Sequence, residues 1–154
     1  MKFLKAEKGR FAFRIQREEK QLLFRILELY PLVPSSHHQL SRSEERPDDQ
    51  RLLEEALAAE RVQHREQLAK WRKTRAGLCR KSPKGRLSLK AAEFEWLLQV
   101  LNDVRIGSWV ALGSPDGPAE YLAVLNERTA RHFWAMETAA RFQMVLLAAT
   151  TGGA

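Results

Sequence analysis

The segment Glu93–Gly113, EFEWLLQVLNDVRIGSWVALG, decides the fold that the sequence predicts. With Phe94 set at 0° and about 100° per residue, its apolar side chains cover an arc from about 200° through 0° to about 40°. The remaining arc carries mainly polar side chains. A helix with such a wide apolar face buries more than half of its circumference, so residues 89–112 are predicted to form the central helix of a bundle.

Arg105 falls at about 20° on this wheel, inside the apolar arc. Because a buried, unpaired guanidinium is costly, Arg105 is expected to run its stem to water or to pair with a carboxylate of another element. The candidate partners are Glu137, Glu28 and Glu18. Asn102 and Asp103 belong to the polar arc or its border. We predict a structural polar network of Asn102, Asp103 and Arg105, with an anion or substrate site at Arg105 as the alternative.

The rest of the chain completes a mainly α fold: a small helical bundle of about four helices with an N-terminal β-hairpin. Phe11, Phe13 and Ile15 alternate with Arg10, Ala12 and Arg14, as in a half-buried strand. Residues 1–154 are predicted to form one domain. The predicted caps are Asp48 or Asp49, Ser88 and Asp116, with Gly77 as a helix stop. The predicted elements are a hairpin over 2–15, helices over 17–30, 49–74, 89–112 and 118–149 (with a break near Arg131), loops over 31–48 and 75–87, and a frayed tail over 150–154.

Composition bounds the class of protein. The chain is 44% hydrophobic and 29% charged, which is typical of a globular domain, and its single cysteine excludes an internal disulfide. The N-terminus is interrupted by charges, and the longest uncharged run, residues 106–115, is far too short to cross a bilayer. Adjacent His37 and His38 are predicted to lie in a solvated loop. We expect a cytoplasmic protein without cofactor, metal or membrane contact.

Residues 65–90 carry ten basic side chains against one acidic, a net charge of +9 in a chain whose total is +7. Such a block is a footprint for nucleic acid, although it is also typical of a solvated surface. Trp71 is the candidate for stacking on a base. The possible nucleic-acid contacts are Arg65, Lys70, Trp71, Arg72, Lys73, Arg75, Arg80, Lys81, Lys84 and Arg86.

The pattern of Trp96-Leu97 followed by Leu101-Asn-Asp-Val-Arg105 resembles the most recognisable segment of an uncharacterised bacterial family, described only as a domain of unknown function. The N-terminal stretch FRIQREEKQLLFRILELY is similar to that family's opening strand and helix. Ser108-Trp109 departs from the pattern, and the segment 114–135 is longer than usual. The resemblance implies a small cytoplasmic helical protein without an assigned activity, often encoded beside the adaptor of the Clp protease, and hence a role linked to proteolysis.

Three functions follow from these patterns. We favour a non-enzymatic protein-interaction module, an adaptor or regulator, with an unknown protein partner and with a homodimer through the Phe-rich ribbon or the last helix as one form. Nucleic-acid binding through residues 65–90 is the alternative. An enzyme using Arg105, Asp103, Glu95 and His132 is the third, without a recognised catalytic arrangement. His64, on the apolar stripe of the second helix, is predicted to be a core-edge histidine bonded to a neighbour.

Overall fold

The computed structural model describes residues 1–34, 47–81 and 85–151, with side chains of the second helix described as far as Lys73. The fold is mainly α, with an N-terminal antiparallel hairpin, as predicted. Its elements are β1 (Lys2–Glu7), β2 (Arg10–Arg14), α1 (Arg17–Leu27), α2 (Pro47–Lys81), β3 (Arg86–Lys90), α3 (Ala91–Ala111), α4 (Pro118–Val124) and α5 (Ala130–Thr151).

The hairpin gains a third strand that the sequence prediction missed. Strand β3 pairs antiparallel with β2, placing Phe13 opposite Leu87 and Phe11 opposite Leu89. Both leucines are buried, and they alternate with polar residues in RLSLK as a half-buried strand requires. The predicted loop over 75–87 is therefore wrong at residues 86 and 87, and the Ser88 cap is wrong: Ser88 lies inside β3, and α3 begins at Ala91.

The sheet and the helices α1, α2, α3 and α5 share one core, with α3 at its centre. The α3 side chains that face this core are Phe94, Trp96, Leu97, Val100, Leu101 and Val104. Helix α5 packs along α3, and α1 packs against both. The phenyl ring of Phe11 on β2 stacks on Phe94 with ring centroids 4.2 Å apart, so the sheet covers the N-terminal end of α3.

Helix α2 is longer than predicted at both ends. It begins at Pro47, with Asp48 and Asp49 in its first turn, and it continues to Lys81, so Gly77 does not stop it. One glycine costs a helix about 1 kcal/mol, which the flanking turns of a long helix can offset. Helix α1 ends earlier than predicted, at Leu27. Residues 35–46, with His37 and His38, lie outside the described part of the chain.

The predicted helix over 118–149 is two helices. Gly117, and not Asp116, is the N-cap of α4. Between α4 and α5, Asn126 Oδ1 accepts hydrogen bonds from the backbone N–H groups of Arg128 (2.9 Å) and Thr129 (3.2 Å). Thr129 Oγ1 in turn accepts one from the N–H of Asn126 at 2.9 Å. These local bonds compete with helical ones and break the helix before the predicted position near Arg131. Helix α5 then includes Thr150 of the predicted tail.

Candidate functional site

The stretch Leu101–Gly107 docks a chain segment onto α3. Asp103 Oδ1 accepts hydrogen bonds from the backbone N–H groups of Leu32 (2.7 Å) and Val33 (3.4 Å). Gly107, one helical turn away on the same face, is buried where the backbone of residues 32 and 33 crosses α3. A β-carbon at Gly107 would lie 2.7 Å from Val33 N. Asp103 and Gly107 therefore form the seat on which the segment after α1 rests.

Arg105 is exposed, so the prediction that it intrudes on the core is wrong. Its Nη2 donates to Asn102 Oδ1 at 3.1 Å, a contact within one turn of the same helix. Of the three carboxylates considered as its partner, Glu28 pairs with Arg72 instead, at 2.7 Å. The predicted network of Asn102, Asp103 and Arg105 is therefore two separate contacts. Asp103 joins two parts of the chain, whereas the hydrogen bond between Arg105 and Asn102 lies within α3.

Tyr30 and His64 meet beside this seat. Tyr30 Oη lies 3.1 Å from His64 Nδ1, which makes His64 the core-edge histidine that its position on the stripe predicts. Burial raises the pKa of Tyr30 to about 12, and the carboxylates of Asp103 and Glu60 add to the rise. Arg61 Nη2 donates to the carbonyl of Val33 at 2.8 Å and so holds the docked segment from the side of α2.

Two clefts flank the outer side of α3 and share Ile106. A groove of about 500 Å³ runs between α2 and α3. Its apolar lining is Val33, Leu53, Leu57 and Ile106, and its polar lining is Tyr30, Glu60, Arg61, His64, Gln99, Asn102 and Asp103. A smaller cleft of about 400 Å³ on the side of α5 is lined by Arg105, Ile106, Trp109, Tyr121, Met136, Glu137 and Ala140. Asp103 and Arg105 thus lie on different clefts.

The structure does not assemble the residues of the enzyme hypothesis. Asp103 lines the groove toward α2 and Arg105 the cleft toward α5, while Glu95 is exposed nearer the start of α3. His132 lies near the start of α5, where burial and the charge of neighbouring Arg131 lower its pKa. Within the described ranges, no group of three or more His, Cys, Asp and Glu side chains could hold a metal ion. The four residues therefore do not share one site.

Trp71, the predicted stacking residue, is buried with 5% of its surface exposed. Its ring packs edge-on against Trp96 and tilts against Phe24, with centroids 5.7 Å and 5.2 Å away. It is a core residue, so it cannot stack on a nucleobase. The stripe of α2 that carries Trp71 also carries the buried Leu68, and this stripe is what attaches the helix to the core.

The basic side chains of residues 65–90 are only partly described. Arg65, Lys70, Arg72, Lys73 and Arg86 are exposed. Arg72 is held by its ion pair with Glu28. The side chains of Arg75, Arg80, Lys81 and Lys84 lie outside the described residues. Because α2 continues to Lys81, residues 75–81 of the block are helical and do not belong to the loop that was predicted over 75–87.

The outer face of α5 exposes large apolar side chains. Trp134 is 41% exposed, Met144 69% and Leu147 52%, while the opposite face, with Ala139 and Leu146, is fully buried in the core. An exposed apolar strip on a helix is typical of an interaction surface. The sequence analysis named the last helix as one surface for a homodimer but did not identify these three exposed residues. The sequence did carry a signal for this surface: α5 has more apolar residues than one face of a helix can bury, so some of them must be exposed.

Comparison with known proteins found no matching family model, no matching curated protein and no matching solved structure. None of the helices in residues 47–81 or in the other described ranges is long and apolar enough to cross a membrane.

Proposed function

We propose that this protein is a protein-interaction module, without catalytic activity of its own, that binds through the outer face of α5. The observation that carries the proposal is the exposure of Trp134, Met144 and Leu147 on a helix whose other face is fixed in the core. A helix packed so firmly presents its outer side chains in a fixed geometry, which lowers the entropic cost of binding. Exposed tryptophan is also among the residues that contribute most to protein interfaces.

The resemblance of residues 93–113 to the uncharacterised bacterial family adds a direction to this proposal. It favours a cytoplasmic adaptor or regulator linked to proteolysis. An adaptor needs binding surfaces and no reaction centre, which agrees with the separation of Asp103, Arg105 and His132 described above.

Affinity capture from a nuclease-treated native lysate at moderate salt tests the proposal. We expect proteins retained by the wild type to be lost with the double variant Trp134→Ser/Met144→Ser. The matched control is Leu52→Ser on α2, which removes another exposed apolar side chain and is expected to retain them. Thermal unfolding followed by circular dichroism verifies that all three proteins fold. Equal capture by the wild type and the α5 double variant would refute the assignment to α5.

A second candidate function is nucleic-acid binding, favoured by one observation. Helix α2 is continuous to Lys81 and presents Arg65 and Lys73 in exposed positions. The test is fluorescence anisotropy with mixed-sequence single- and double-stranded oligonucleotides over a range of salt concentrations. If these residues contact phosphates, Arg65→Ala/Lys73→Ala lowers the salt slope by about 1.4–1.8. Absence of binding at low salt removes this function.

A further inference from the structure

The exposed face of α5 has a seven-residue spacing. Trp134, Glu137, Arg141, Met144 and Ala148 follow one another at alternating intervals of three and four residues and are all exposed. At about 100° per residue they fall within an arc of about 80°. This is the spacing with which one helix packs side by side against another. The buried residues Ala135, Ala139, Phe142 and Leu146 lie on the other side of α5.

We propose that a second copy of this chain occupies the face, with the two α5 helices antiparallel about a two-fold axis that crosses this face at the level of Ala139 along the helix. The inference rests on the proposed function and names the partner of the same surface. We call the exposed residues Trp134, Glu137, Arg141, Met144 and Ala148, together with Ala130, the α5 stripe. These residues form pairs at equal distances on either side of this point, and the two side chains of each pair are chemically complementary. Glu137 and Arg141 lie two residues to either side of Ala139, Trp134 and Met144 five residues, and Ala130 and Ala148 nine residues.

A two-fold axis at this point brings each residue of one copy next to its mirror position in the other. Glu137 of each copy then lies beside Arg141 of its partner, which forms two ion pairs at the centre. Trp134 lies beside Met144, a thioether against an aromatic ring, which is a favourable contact. The outermost layer pairs Ala130 with Ala148, and small side chains there let the ends of the helices approach closely. The pairing covers most of the 22 residues of α5.

Charge selects the antiparallel arrangement over the parallel one. In a parallel pair in the same register, Glu137 would face Glu137 and Arg141 would face Arg141, and like charges facing each other across an interface oppose association. The central polar layer therefore excludes that arrangement and also fixes the register, which is the best-attested role of polar residues in such seams.

The Phe-rich ribbon, the other surface considered for a homodimer, fits a second copy less well. Phe13 is fully buried and Phe11 stacks on Phe94, so the aromatic face of the sheet already packs on its own core. The outer strand β1 carries exposed Lys2 and Lys5 and an irregularity in its pairing with β2 between Phe3 and Lys5. Charged, irregular edges disfavour strand addition.

The test is sedimentation equilibrium of the full chain over a wide concentration range, with charge-reversed variants. We expect wild type to dimerise reversibly. Glu137→Arg and Arg141→Glu, each alone, place like charges in both central pairs and are expected to raise the dimer dissociation constant at least tenfold. An equimolar mixture of the two variants restores opposite charges and is expected to form a heterodimer. The double variant Glu137→Arg/Arg141→Glu is expected to dimerise as wild type does.

The matched control is Arg131→Glu, which reverses one charge on the same helix about 60° outside the stripe and is expected to leave the dissociation constant unchanged. Wild type that remains monomeric at every concentration overturns the homodimer; if proteins are still captured through Trp134 and Met144, the proposed function stands and the occupant is a different protein. Dimerisation unaffected by both single reversals places the dimer contact elsewhere and overturns the α5 geometry.

Discussion

Replacing Gly107 by alanine is expected to destabilise the protein, which is the reverse of the usual effect inside a helix. Alanine ordinarily stabilises a helix interior by about 1 kcal/mol relative to glycine. Here the new β-carbon would lie 2.7 Å from Val33 N and would also meet Leu32. The obstacle is mainly backbone, which cannot rotate away as a side chain can, and overpacking costs about 1–3 kcal/mol.

Displacing the segment would also lengthen the hydrogen bonds that Asp103 accepts from Leu32 and Val33. A bond to a charged group contributes about 1.5–3 kcal/mol. The overpacking cost plus the loss of one such bond, minus the gain in helix propensity, predicts that Gly107→Ala lowers the free energy of unfolding by about 1.5–5 kcal/mol. Denaturant unfolding followed by circular dichroism measures this change. A variant that is about 1 kcal/mol more stable than wild type would show that no segment rests on Gly107.

The double variant Gly107→Ala/Asp103→Ala tests whether the contact between Gly107 and the docked segment causes the loss of stability. Without the Asp103 anchor the segment is free to move away, so the steric cost at Gly107 falls. We expect the two losses of stability to be less than additive, with a coupling of at least about 0.5 kcal/mol. Strict additivity would mean that Asp103 and Gly107 act on different parts of the chain.

Three further substitutions test the packing and the electrostatics. Trp71→Ala should lower the free energy of unfolding by about 3–5 kcal/mol, because it leaves a cavity in the core. Unchanged stability would show that Trp71 is not a buried core residue. Ser108 is fully buried and its Oγ has no hydrogen-bond partner among the described residues, so Ser108→Ala should add about 1 kcal/mol of stability in the same denaturant assay, and a loss would reveal a bond to the hydroxyl. The pKa of Tyr30 rises from 10 to about 12, so the contribution of its neutral phenol to stability is complete below pH 10 and is lost as the pH rises toward 12. Over this interval the unfolding midpoint of Tyr30→Phe should therefore fall less than that of the wild type. Identical pH profiles of the two proteins would contradict the burial of the phenol.

The central helix was predicted correctly from the sequence, but Arg105, at one edge of its apolar arc, was wrongly placed in the core. Apolar spacing alone predicts that α3 is buried over a wide arc, and eight of its residues are. The wheel placed Arg105 inside that arc because Phe94, on the same side, is apolar. Phe94 is covered by the sheet at the start of α3, whereas Arg105, three turns later, is exposed. A wheel averages over the length of a helix and cannot show that a neighbour covers only one end.

Asp103 was the more informative residue of the stretch, and its role depends on contacts that are distant in sequence. Its partners, Leu32 and Val33, are 71 and 70 residues away, and no local pattern links them. A signal was nevertheless present: an acid and a glycine spaced one turn apart at the border of an apolar face favour the close approach of another backbone. The sequence assigned Asp103 to the solvated side because that border is indistinguishable from the polar arc without its neighbour.

The predicted ends of helices were wrong where a single glycine or serine was taken as the signal that a helix stops or starts. Gly77 was taken as a stop, although α2 continues past it, and Ser88 as a cap, although RLSLK alternates as a strand. Strand β3 forms because β2 offers an edge to pair with, which is a tertiary effect. The hairpin was predicted correctly because its turn, Lys8-Gly9, and its alternating Phe residues are local signals.

The most direct test of the interaction surface is cysteine cross-linking along α5, in a Cys79→Ser background so that each added thiol is unique. Ala130→Cys and Ala148→Cys are prepared as separate proteins, mixed at equal concentration and oxidised gently. A disulfide requires α-carbons within about 7 Å of each other. The antiparallel pair predicts a cross-linked dimer in the mixture and almost none with either protein alone. Equal cross-linking in all three samples, or none in the mixture of proteins that still sediment as dimers, would contradict it.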